Sequence, residues 1–214
     1  MSTGVLQEKP RAGGSDGPGP GGILPGGDGG QGDGAPGILG DTARFGLWAF
    51  LGTISMLFIG FTSAYLIRRT SADWRPLSPP WILWLNTAAL VASSFTLQAA
   101  RRRLRDWDLR GLPPWVAATG VLGVLFLAGQ IMAWRRLAAQ GIFLASNPHN
   151  SFFYVLTGLH GLHLLGGLVW FAAVLVQVRR MAYTPGEDGL RLFATYWHFL
   201  AGLWIYLLFL LFVL

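Results

Sequence analysis

Five uninterrupted apolar runs dominate this chain, and each is long enough to cross a bilayer. They cover roughly 44–67 (RFGLWAFLGTISMLFIGFTSAYLI), 81–100 (WILWLNTAALVASSFTLQAA), 114–134 (PWVAATGVLGVLFLAGQIMAW), 152–178 (FFYVLTGLHGLHLLGGLVWFAAVLVQV) and 191–214 (RLFATYWHFLAGLWIYLLFLLFVL). A helix needs about 20 apolar residues to span the hydrocarbon core. Backbone groups in lipid must be satisfied within the segment, so runs this continuous have to be helical. The expected fold class is all-α, an integral membrane bundle of five transmembrane helices. Pro79, Pro80, Pro113 and Pro114 stand where helices begin, a position that tolerates proline. Charged residues make up only 12% of the chain, about half the fraction usual in a soluble domain.

Residues 1–40 read differently. They hold half of the chain's 30 glycines together with Pro10, Pro18, Pro20, Pro25 and Pro36, and no aromatic residue. Such a segment buries too little apolar surface to offset its ordering entropy, so a disordered tail is expected, followed by a membrane domain over 41–214. The tail lacks the compact apolar stretch of a signal peptide. Its glycines do not recur strictly every third residue, which excludes a collagen helix. With no cysteine in the chain, disulfides, thiolate metal sites and cysteine nucleophiles are excluded as well.

The net charge of +6 comes almost wholly from arginine. These arginines flank the apolar runs, so they read as topology signals and not as a nucleic-acid face. Eleven basic residues fall on one side of the membrane: Lys9, Arg11 and Arg44; Arg101, Arg102, Arg103, Arg105 and Arg110; and Arg179, Arg180 and Arg191. Arg68, Arg69, Arg75, Arg135 and Arg136, five in all, fall on the other. The positive-inside rule places the N-terminus in the cytoplasm and the C-terminus outside. Trp48, Trp74, Trp81, Trp84, Trp115 and Trp134 lie near span ends, as an interfacial aromatic belt requires.

All ten acidic residues lie in the tail or in expected loops: Glu8, Asp16, Asp28, Asp33, Asp41, Asp73, Asp106, Asp108, Glu187 and Asp188. Proton relays and ion paths usually carry carboxylates within the membrane, and the spans do not divide into the matching halves of a secondary transporter. The intramembrane polar residues are few: His160 and His163 on the fourth span, His198 on the fifth, and Gln130, Asn86, Ser93 and Ser94. Histidines on facing helices can ligate haem iron. Inter-helix hydrogen bonding is the commoner use of such residues, and two histidines three apart with no carboxylate make a thin ligand set. Gly158, Gly161, Gly166 and Gly167 surround them and favour close helix packing. His149, in SNPHNS, is expected in a loop as an interfacial hydrogen-bonder. GLHGLHLLGG follows no strand and is not a nucleotide loop.

The strings GQIMAWRRL (129–137), SNPHNSFFYVLTGLHGLHLLGG (146–167) and YWHFLAGLW (196–204) resemble subunit III of the haem-copper oxidases, in the bacterial five-helix form. The resemblance extends over residues 44–214. It implies an accessory subunit of a cytochrome c-type terminal oxidase in the bacterial inner membrane, binding phospholipid and packing against catalytic subunit I, with subunit II in the same complex. It further implies that haem and copper sit in those partner subunits, and that this chain has no cofactor, metal or active site of its own. Gln130, His149, His160, His163, Trp197, His198 and Trp204 are then the candidate structural, partner or lipid contacts. A related alternative is the accessory protein of nitric oxide reductases, which resembles the same family. An unrelated one is a small b-type cytochrome ligating haem through His160, His163 and His198. Three positions depart from the family. Members often carry a Ser-Glu pair where Thr53 and Ile54 stand, a glutamate where Ala133 stands and an aspartate where Ala201 stands.

Overall fold

A computed structural model describes residues 36–75, 77–180 and 189–213. The tail before Pro36, and Glu187 and Asp188, lie outside the described residues. Five helices form: α1 (Pro36–Arg68), α2 (Trp81–Arg105), α3 (Leu112–Ala139), α4 (Pro148–Arg179) and α5 (Gly189–Phe212). All five are long and apolar enough to cross a membrane. The expected class, an all-α bundle of five spans, is what the described residues form.

The helices outrun the apolar stretches. The 28 residues of α3 are about 42 Å long at 1.5 Å per residue, against a hydrocarbon core of about 30 Å. Apolar length measures the core and not the helix. Arg102, Arg103 and Arg105 therefore lie in the last turn of α2, and Arg136 in the last turn of α3, where cations complement the helix dipole. The Arg136 guanidinium lies over the Trp81 ring at 5.4 Å and ties the end of α3 to the start of α2. Helix α1 begins inside the stretch expected to be tail, so Asp41 is helical and not in a loop.

The helix boundaries follow from local chemistry. Pro80, with φ −61° and ψ 136°, precedes α2, and prolines occupy the first turn of α3. Asn147 caps α4, its Oδ1 accepting the Asn150 N–H at 3.1 Å, with Pro148 as first helical residue. Helix α3 ends at Gly141, φ 76°, where Ile142 N–H donates to Leu137 O and Gly141 N–H to Ala138 O, each at 3.0 Å. That bond pair is a Schellman motif, and its left-handed residue suits glycine. The end of α2 makes the same bonds, Asp108 N–H to Arg103 O and Trp107 N–H to Leu104 O, with Trp107 at φ 59° in the glycine place.

Helix α5 occupies the centre, packed against α1, α2 and α4, and its Trp204 reaches Phe126 of α3, ring centroids 4.9 Å apart. Helices α2 and α3 form the most extensive pair, while among the described helices α1 packs against α4 and α5. Large apolar side chains on α1 point outward, among them Phe45, Trp48, Met56 and Ile59. Of the tryptophans assigned to an interfacial belt, Trp48, Trp81 and Trp84 are exposed, but Trp74 and Trp134 turn inward. Trp74 stacks edge-on against Tyr65 and His149. Trp134 donates its indole N–H to Thr157 Oγ1 at 3.2 Å.

Candidate functional site

The bundle interior contains a seam of polar side chains, and α5 supplies its two largest members. Trp197 and Trp204 are fully buried. The Trp197 indole N–H donates to Ser93 Oγ at 2.9 Å, and Ser93 donates in turn to Leu90 O at 2.6 Å. Trp204 repeats the arrangement with Thr87 Oγ1 at 3.0 Å, and Thr87 donates to Leu83 O at 2.8 Å. A hydroxyl can accept from the indole while donating to a carbonyl, so each relay satisfies both polar partners in a medium without water. Room for the rings comes from α3. A Cβ on Gly123 would stand 2.7 Å from the Trp197 ring. A Cβ on Gly129 would overlap the Asn86 side-chain oxygen. Around the histidines, Gly158 and Gly161 make only ordinary contacts and Gly166 has open space, while Gly167 lies tight against Tyr196. The closest approaches therefore lie mostly on α3.

One layer of this seam collects residues from four helices. His160 of α4 is fully buried, edge-on to Phe126 at 5.7 Å and against Trp204 at 5.1 Å. Gln130 stands one turn beyond Phe126 on the buried face of α3, and Asn86 abuts the adjacent Gly129. Neither His160 ring nitrogen, nor either side-chain polar atom of Gln130, nor the Asn86 amide nitrogen has a hydrogen-bond partner among the described residues. His163 does not share this environment. Its Nδ1–H donates to Leu159 O at 2.7 Å, and its ring rests on Phe58 of α1 at 6.0 Å. The two histidines, three apart on α4, thus diverge, because three residues advance a helix by about 300° and leave their side chains about 60° apart. His198 is half-buried and sits six residues before Trp204, about 9 Å along α5 from the level of His160. Among the described residues no three histidine or carboxylate side chains gather as a metal site.

His149 is not a loop residue. It lies in the first turn of α4 and is buried. Its Nδ1 accepts the Leu77 N–H at 3.3 Å, and its Nε2 lies 3.1 Å from Leu211 O. A backbone N–H only donates and a carbonyl only accepts, so the ring is neutral with its proton on Nε2. One imidazole thereby joins the α1–α2 connection, the start of α4 and a terminal carbonyl of α5. Tyr65, Trp74 and Phe152 enclose it. Sequence reading missed Ser93, Thr87, Thr157 and Tyr65 in these roles. Isolated hydroxyls in apolar helices carry no signal of their own, since most bond back to their own helix.

Ile54, Ala133 and Ala201, where the resemblance implies acids, are apolar and buried, at 2%, 0% and 7% exposed. Ala201 lies one turn before Trp204, beside the His160 layer. Indole–hydroxyl and imidazole–backbone bonds thus cross the interior, and no acid, lysine or arginine is buried among the described residues.

Fold and site define a class: a multi-pass membrane protein of five apolar helices with a polar seam inside the bundle. A family model described as cytochrome c oxidase subunit III matches residues 38–214, and the chain belongs to that family. The probable cytochrome c oxidase subunit 3 of Nocardia farcinica is 35% identical over 156 residues, which is 70% of this chain and 77% of the relative. The cytochrome c oxidase subunit 3 of a Synechocystis strain is 35% identical over 181 residues, 81% of this chain and 76% of its own. The quinol oxidase subunit 3 of Bacillus subtilis is 30% identical over 168 residues, 76% and 82% of the two chains. The nitric oxide reductase and haem-ligating alternatives are not favoured by these likenesses.

Proposed function

We propose that this chain is the non-redox subunit III of a bacterial aerobic terminal oxidase, packing against catalytic subunit I and stabilising it while electrons pass to oxygen and protons are pumped. Family membership across all five helices carries the reading. The interior supports it, since His149, Trp134, Trp197 and Trp204 join separate helices through bonds between the chain's own groups. Haem and copper belong to the partner subunits, subunit II included, and this chain supplies no catalytic residue. Gln130, His149, His160, Trp197 and Trp204 shape the surface that the partner meets by holding the bundle together. His163 and His198, both only half-buried, are the members of the set placed to touch a partner or lipid. The domain over 41–214 spans the inner membrane with the tail in the cytoplasm and the C-terminus outside.

Relatives are named for both cytochrome c and quinol oxidases, so the proposed role stands at the level common to the two. Affinity purification of the tagged chain in mild detergent tests it. The expected result is co-purification with a haem-bearing catalytic subunit, and faster loss of oxidase activity during turnover when the chain is deleted. A chain that purifies alone with a haem Soret band, lost on His198→Ala, would overturn the reading.

A further inference from the structure

Five polar atoms on three buried side chains have no hydrogen-bond partner among the described residues: both ring nitrogens of His160, Oε1 and Nε2 of Gln130, and Nδ2 of Asn86. The three come from three helices but share one place. His160 packs on Trp204, whose indole N–H reaches Thr87, and Asn86 immediately precedes Thr87. Asn86 also abuts Gly129, and Gln130 immediately follows it. Along the α3–α4 pairing Phe126 meets His160 and Trp134 meets Thr157, so Gln130, one turn from each, falls at the level between them. By contrast, the Thr87, Ser93 and Thr157 hydroxyls and both His149 nitrogens are bonded. Buried polar groups are nearly always paired, so five together that are not call for a partner of another kind.

The backbone beside them leaves room for one. A Cβ on Gly158 or on buried Gly161, which flank His160, would meet nothing nearer than 3.9 Å, and the nearest atoms belong to Trp134 and Leu127. Those two residues bracket Gln130 on α3, so the loosely filled gap lies at the level of the unbonded atoms. The set offers donors and acceptors alike: a neutral imidazole has one of each, Gln130 has both, and Asn86 adds an N–H. Direct pairing of His160 with Gln130 would engage one ring nitrogen and leave the other unbonded. A water molecule donates twice and accepts twice, and a buried one typically takes about three such partners.

We propose that His160, Gln130 and Asn86 form a binding site for internal water between α2, α3 and α4. Water bridges a His160 ring nitrogen to the Gln130 amide and accepts from the Asn86 N–H. It thereby joins three helices through groups that no direct bond satisfies. The inference stands on the bundle interior and not on the oxidase role, so its test reads hydration and not activity.

The test uses the full chain, with whatever co-purifies, in lipid bilayers and with isotope-labelled histidine. The chain has four histidines, and the His160 ring signal is the one lost in His160→Phe. Solid-state magnetic resonance then reads magnetisation transfer from water protons to each ring. The expected result is rapid transfer to His160 and little to His149, which is also buried but has both nitrogens bonded to backbone. In Gln130→Leu, close in volume and without polar atoms, transfer to His160 falls severalfold. The His149 signal stays in place there and serves as the check on folding. A second measurement needs no variant. A density map fine enough to show ordered solvent should carry a peak within about 3.2 Å of at least two of the three side chains. Transfer to His160 no greater than to His149, or a map in which Gln130 bonds His160 directly with no such peak, would overturn the proposal.

Discussion

A few side chains do disproportionate work because each satisfies polar atoms on two or three helices at once. His149→Phe keeps the ring's bulk but orphans the Leu77 N–H and the Leu211 carbonyl. About 1–3 kcal/mol of stability should be lost, read as a lower melting temperature of the detergent-solubilised protein. A double-mutant cycle of Trp197→Phe with Ser93→Ala should give a coupling energy of about 0.6 kcal/mol, the average for bonds between membrane helices, and no more than about 1.7. Additive losses would show that the bond contributes nothing. Asp108 lies outside the spans, and its carboxyl is held below the usual range, first by the Gly111 N–H at 2.9 Å and then by Arg103 at 2.8 Å. A lowered folded pKa means that the loop's added stability is complete above the ordinary carboxylate pKa and is lost as pH falls through the folded value. Protection of amides 106–111, corrected for the intrinsic exchange rate, should therefore hold at neutral pH, fall as pH drops through the folded value, and be low throughout in Asp108→Ala.

Helix α3 shows how small residues set the packing of an element. Gly120, Gly123 and Gly129 admit Phe171, Trp197 and Asn86. Gly123→Ala should cost about 1–3 kcal/mol through overpacking. Gly166→Ala, with open space at its Cβ, should be neutral or slightly stabilising, and parallel thermal melts separate the two. At the C-terminus of α3, Gly141 holds φ 76°, so Gly141→Val should destabilise by about 1–2 kcal/mol and expose the Gln140–Ile142 turn to proteolysis. The helix-ending role of Gly141 emerged from its backbone geometry, while local chemistry was readable in advance at the prolines that open helices. Helix length was not, because hydropathy reports the bilayer core, while the helices continue as amphipathic turns into the interface.

For the whole molecule, the asymmetry of arginine predicts orientation. Reporter fusions should show cytoplasmic activity at the N-terminus and in the α2–α3 loop, and external activity at the C-terminus and in the α3–α4 loop. The reverse pattern would refute the orientation. By itself, the sequence determined the number of spans, their apolar extent, the charged rims and the family, all of which depend on composition along one segment at a time. Tertiary structure alone decided which polar groups meet. His149 finds Leu211 across 62 positions, Trp197 finds Ser93 across 104 and Trp204 finds Thr87 across 117. Helical periodicity assigns each such residue a face, but only the packing of α5 between α1, α2 and α4 determines what that face touches. The same packing sends His160 inward and His163 toward α1, although they are neighbours on one helix.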